Sequence, residues 1–101
     1  MINRYYILNK DKTTREAKDF EEFDSNMKEN QIVKKTEIGK ILISTVFLGV
    51  NHNYSGGEPI LFETMIFNDD TEYEYQERYS TYQKALEGHK KCCQMIMDKY
   101  K

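Results

Sequence analysis

The hydrophobic positions change their spacing several times along the chain, and each change predicts an element. Residues 4–8, Arg-Tyr-Tyr-Ile-Leu, form a short aromatic and β-branched run ending in Asn-Lys-Asp-Lys, which predicts a strand and a turn. Thr13 with Glu16 three residues later has the form of a capping box, and Ala17, Phe20, Phe23 and Met27 recur at helical spacing, so a helix is expected from Thr13 to Asn30. Ile32 to Glu37 and Lys40 to Val50 flank Ile38-Gly39, where the glycine supplies the positive φ of a tight hairpin. A further strand is expected over 60–67, then turn chemistry at Asn68-Asp69-Asp70-Thr71. In the strand that follows, 72–79, Tyr73, Tyr75 and Tyr79 alternate with Glu74, Gln76 and Arg78, which predicts one buried and one wet face. Ser80 or Thr81 can cap the last helix, Ser80 with Gln83 as a second capping box. Tyr82, Leu86, His89, Cys93, Ile96 and Tyr100 then repeat in steps of four and three.

The order β-α-β-β-β-β-α with hairpin connections predicts a single α+β domain over residues 1–101, with an about five-stranded, mostly antiparallel sheet carrying two helices on one face. The central strands raise a problem, because both of their alternating sets are apolar. In 41–50, Ile41, Ile43 and Phe47 stand against Leu42, Val46, Leu48 and Val50; in 60–67, Leu61, Met65 and Phe67 stand against Ile60, Phe62 and Ile66. Two helices on one side leave the other side bare. A second copy of the chain is the expected cover, making a homodimer; the plainer alternative is that tyrosines and other long side chains fold over that face.

Composition narrows the partners. A chain of 101 residues supports one core, and 13% aromatics argue against disorder. Fifteen basic and 17 acidic residues nearly cancel to a net charge of −2, so no global field draws the chain to nucleic acid or an anionic membrane. The longest apolar run, Val46 to Val50, falls far short of the ~20 residues that span a bilayer, and no signal-peptide apolar region opens the chain. A cytoplasmic protein without a membrane partner is expected. Cys92 and Cys93 are adjacent within a predicted helix and are expected as reduced thiols, with no further cysteine to complete a metal site.

The candidate chemistry begins with the insert from Asn51 to Pro59, which is longer than a hairpin requires and holds His52, Asn53, Tyr54, Ser55 and Glu58 beside Gly56-Gly57. Two glycines without a following GKS or GxxG do not make a phosphate loop, and an ordinary solvated connection is the simpler reading. His52, Glu63 and His89 form a conceivable trio for metal binding or acid–base work, although no HExxH spacing supports it and no GxSxG elbow is present. His89 lies on an apolar helix stripe, where a hydrogen-bonded core histidine is the common outcome. Glu63 sits inside an apolar strand, so it requires a partner such as Arg78. The tyrosines of 72–79 are interleaved with Glu72, Glu74 and Glu77, which disfavours nucleic acid and suits a basic protein surface. Ser80 and Thr81 at a helix N-terminus, with Arg78 beside them, could hold a small anion, or they form a plain cap.

The segments Thr36-Glu37-Ile38-Gly39, Ser44-Thr45-Val46-Phe47-Leu48-Gly49, His52, Leu61-Phe62-Glu63-Thr64-Met65-Ile66-Phe67 and Arg78-Tyr79-Ser80-Thr81, followed by Ala85 and Gly88-His89, together resemble a family of small uncharacterised proteins encoded by bacteriophages and prophages. The likeness runs from Tyr5 to His89. It departs at Glu58-Pro59, where relatives read Pro-Pro, and at Tyr82, where they read Trp. The resemblance implies an accessory protein of phage type in the host cytoplasm, binding a host protein, defence machinery included, or sequestering a small anionic or nucleotide ligand. It implies no mechanism. Thr45, His52, Glu63, Thr64, Arg78, Ser80, Thr81 and His89 are the motif positions expected to line any pocket. Binding without catalysis and without a cofactor is the expected function; a small enzyme or metal-binding protein using His52, Glu63 and His89 is the alternative.

Overall fold

The computed structural model describes residues 4–68 and 71–99; the turn expected at Asp69-Asp70, the side chain of Tyr73 and the stripe residue Tyr100 lie outside the described residues. The elements are β1 Tyr6–Leu8, β2 Thr14–Glu16, α1 Phe20–Asn30, β3 Ile32–Ile38, β4 Ile41–Phe47, β5 Phe62–Asn68, β6 Thr71–Tyr79 and α2 Tyr82–Lys99. The α+β class holds, but the single five-stranded sheet does not. β3-β4-β5-β6 form a four-stranded antiparallel meander, while β1 and β2 make a separate two-stranded sheet, joined to the chain beyond β4 by the Tyr5–Val50 bridge and by Tyr6 N on Gly49 O at 2.7 Å.

The correction originates at Thr13. Instead of capping a helix, its hydroxyl bonds the Asp11 carboxylate at 2.5 Å and accepts from Asn9 Nδ2 at 3.0 Å, closing a turn in which Lys12 takes φ 72°. Thr14–Glu16 then return alongside β1. The helix begins later, where Asp19 accepts from the Glu22 amide at 2.8 Å. Asp19-x-x-Glu22 is the same kind of cap as Thr13-x-x-Glu16, and the competing turn decides between them. α1 is fastened to β1 by one side chain: the Asn26 amide accepts from Leu8 N and donates to Leu8 O, both at 3.0 Å. Consequently α1 packs on β1, and α2 alone packs across all four strands of the meander. The two helices expected to share one face of the sheet do not share it.

The β3–β4 hairpin turns through Gly39-Lys40, with Gly39 at φ 61° in the first central position, as a type II′ turn requires. Below α2 the sheet presents three rows of side chains set by register. Phe47, Phe62 and Tyr79 form one apolar row, packed with Leu8, Leu61 and Ala85. Ile43, Ile66 and Tyr75 form another, packed with Ile41, Cys92 and Ile96. Between them lies a polar row, Thr45 and Thr64, both fully buried. The buried line of α2 is Ala85, Gly88, His89, Cys92 and Ile96, rotated toward Ala85 and Cys92 from the predicted stripe because Tyr82, Leu86 and Cys93 only half bury. Both cysteines are free thiols. Among the described residues no helix is long and apolar enough to cross a membrane.

Candidate functional site

Alternation along a strand sends neighbouring residues to opposite faces, and this separates the eight candidate residues into three places. The first is the polar row under α2. His89, 2% exposed, is aimed from the helix into the sheet: Nε2 meets Thr36 Oγ1 at 2.8 Å and Nδ1 meets Thr45 Oγ1 at 2.7 Å. Thr45 Oγ1 in turn meets Thr64 Oγ1 at 2.6 Å. The chain of hydroxyls and imidazole thus ties α2 to β3, β4 and β5. Burial first, and then the Lys34 ammonium, push the His89 pKa down, so the ring is neutral at physiological pH. Both ring nitrogens are already engaged. Thr45, Thr64 and His89 therefore serve the core and present nothing to a ligand.

The second place is the opposite face, which we call the open face. Glu63 follows the inward Phe62 and precedes the inward Thr64, so its carboxylate points away from α2 and from His89. Its side chain is 8% exposed, and Oε2 accepts from Arg78 Nε at 2.8 Å and from the Gln76 amide. The partner that burial demanded is the expected one. Around this cluster the open face carries Leu42, Val46, Met65 and Phe67, all half-buried although neither described helix packs over them. His52 lies beside the cluster, close enough to feel both charges. Its pKa is lowered mainly by burial and by Arg78, with Glu63 opposing and Arg4 adding to the fall.

The third place is the start of α2, where Thr81 Oγ1 accepts from the Lys84 amide at 3.1 Å and the Lys84 ammonium reaches Ser80 Oγ at 3.5 Å. An open groove of about 400 Å³ separates this end from the β1–β2 turn, with Asp11, Lys12 and Thr13 facing Ser80, Thr81 and Tyr82. Lys12 stands over the Tyr82 ring at 5.4 Å. Arg78, engaged with Glu63 on the open face, does not line the groove, and the Asp11 carboxylate does. The expected trio of Arg78, Ser80 and Thr81 is not brought together.

Nor do His52, Glu63 and His89 converge, since the sheet separates Glu63 from His89. Among the described residues no three His, Cys, Asp or Glu side chains form a group able to hold a metal ion. Asn51 and Asn53 organise the insert, a role that the sequence alone did not assign to them. Asn51 Oδ1 accepts from Asn53 N at 2.8 Å and from Ile60 N at 3.0 Å, while Asn53 takes Ser55 N at 3.1 Å and donates to Glu58 O at 2.7 Å. Their signal is the Asn-x-Asn spacing, which favours successive side-chain-to-backbone turns. Compared with known proteins, the chain matches no family model, no curated protein and no solved structure.

Proposed function

We propose that the protein acts by binding and not by catalysis, and that it works as a twofold homodimer joined through the open face of its sheet. One observation carries this: Leu42, Val46, Met65 and Phe67 form an apolar field on the sheet face opposite α2, over which neither described helix packs. A second copy suits the field because its charges are self-complementary. Register puts Lys35, Ser44, Met65 and Gln76 in one row, and Glu37, Leu42 and Phe67 in the next. A twofold axis in the interface, running across the strands between these rows, sets Lys35 against Glu37 of the other copy on both sides. The same operation places Met65 on Phe67 and Leu42 on Ser44. A net charge of −2 leaves little repulsion between copies.

The phage-type accessory role, engaging a host component, rests on the sequence likeness alone. The enzyme alternative loses its support once Glu63 and His89 stand on opposite faces.

Native mass spectrometry and light scattering test the dimer. The natural chain is expected as a dimer at micromolar concentration, and Phe67→Glu, which alters a half-buried surface position, as a folded monomer. Lys35→Glu and Glu37→Lys each weaken the dimer about fivefold, in line with ~0.5 kcal/mol per exposed pair over two contacts, and the double exchange restores it. A natural chain that stays monomeric at hundreds of micromolar defeats the proposal.

A further inference from the structure

Beyond the two rows used in the proposed dimer, the chain runs off the end of the sheet into the 51–59 insert. Backbone hydrogen bonds hold the insert there: Asn51 N bonds Arg4 O at 2.8 Å, His52 N bonds Ile60 O at 3.0 Å, and Leu61 N bonds Tyr79 O at 3.0 Å. Arg4 is thus held beside the Asn51-His52 backbone, and the Glu63–Arg78 pair, set further into the sheet, is near enough for both charges to act on the His52 ring. Neither guanidinium is fully used. Arg78 gives only Nε to Glu63 and remains 46% exposed, and Arg4 makes no ion pair among the described residues, lying instead 4.8 Å from the centre of the exposed Tyr54 ring. Beside them His52 keeps a buried Nδ1 that meets no hydrogen-bonding group among the described residues. A buried polar nitrogen without a partner is uncommon, and here it lies where two cations outnumber one carboxylate.

We propose that Arg4, His52 and Arg78 form a binding site for a small oxyanion of the phosphate type. The two guanidinium groups supply paired N–H donors and the excess positive charge, and His52 Nδ1 supplies the inner contact. Tyr54 offers a ring face at the rim for a ligand that carries a planar group. Because burial and the two arginines both hold His52 neutral, an anion bound there reverses the electrostatic part of that effect. Binding therefore takes up a proton, and affinity rises as pH falls through the His52 titration.

The test follows the His52 ring resonances of the full chain by NMR at fixed ionic strength while inorganic phosphate, and separately a nucleoside monophosphate, is added. A saturable shift and an upward move of the His52 pKa are expected, with chloride producing neither. Arg4→Gln and His52→Ala should each weaken binding at least tenfold. Arg4→Gln disturbs no ion pair, so it remains informative if Arg78→Gln, by stranding Glu63, unfolds the chain. Tighter binding of the nucleotide that Tyr54→Ala removes identifies a ring-bearing ligand; equal binding identifies the oxyanion alone. The site does not need the dimer, so a monomeric Phe67→Glu chain should still bind, which keeps the two proposals separable. A linear, unsaturated response, or an unchanged affinity in Arg4→Gln, overturns the site.

Discussion

Gly88 inverts the usual effect of glycine in a helix. Replacing an interior helix glycine by alanine ordinarily stabilises by roughly 1 kcal/mol, but a Cβ at this position would run into the ring and hydroxyl of Tyr79. Gly88→Ala is therefore expected to lower stability by about 1–3 kcal/mol, read from urea unfolding; a gain would show that Tyr79 moves freely aside. The neighbouring His89 makes stability depend on pH. Its folded pKa lies below the ordinary 6.5, so the unfolded chain takes the proton first. Stability is complete above about pH 6.5 and falls as the pH drops toward the folded value. His89→Gln keeps a donor and an acceptor without a titrating group. That variant should lose part of the slope between pH 6.5 and 5, the remainder belonging to His52, whose pKa is shifted in the same direction. At this scale the sequence foretold a core histidine and a partner for Glu63, because apolar neighbours impose both. It did not reveal that Thr36, Thr45 and Thr64 would be the groups satisfying His89, since those contacts join residues distant in sequence.

The elements themselves were legible wherever spacing was strong and unopposed. The β3–β4 hairpin around Gly39 and the long α2 came out close to expectation, since each rests on a local rule that the tertiary structure does not contest. The stretch 13–19 went the other way because two capping sequences compete, and the Asn9–Thr13 turn withdraws the first from use. Asp19→Ala should consequently cost about 1 kcal/mol and shorten α1 in circular dichroism, whereas Thr13→Ala leaves helix content unchanged. β2 is tied to α1 by the fork of Arg15 on Glu22, two bonds of 2.8 Å. Arg15, and then the Lys18 amide, hold the Glu22 carboxyl at about 2. Its contribution is present above the ordinary carboxyl range near pH 4.5 and disappears only as the pH falls toward 2, well apart from the histidine window.

At the scale of the molecule the asymmetry of the sheet governs behaviour. A radius of gyration of 14.6 Å exceeds the ~13 Å of a compact chain of this length, as expected when a sheet has a helix on only one side. The doubly apolar central strands announced an uncovered face, although for a partly different reason: α1 packs on β1 instead of joining α2 over the meander. If the open face closes on a second copy, folding and association are linked, and the melting temperature must rise with protein concentration. Each tenfold increase adds about 1.4 kcal/mol per mole of dimer. Calorimetry over two decades of concentration checks this, and a constant midpoint would argue for a self-sufficient single chain.

Asn51 has a practical consequence for handling the protein. Because its side chain closes the base of the 51–59 segment against Ile60, the tip at Gly56 and Gly57 is mechanically insulated from the sheet, and a Cβ at either position would have open space or only a 3.7 Å approach to Asn53. Extra residues spliced between these two glycines lengthen an already closed loop and cost only a fraction of a kcal/mol per doubling. That junction is the natural port for grafting an epitope or a fluorophore without disturbing the fold.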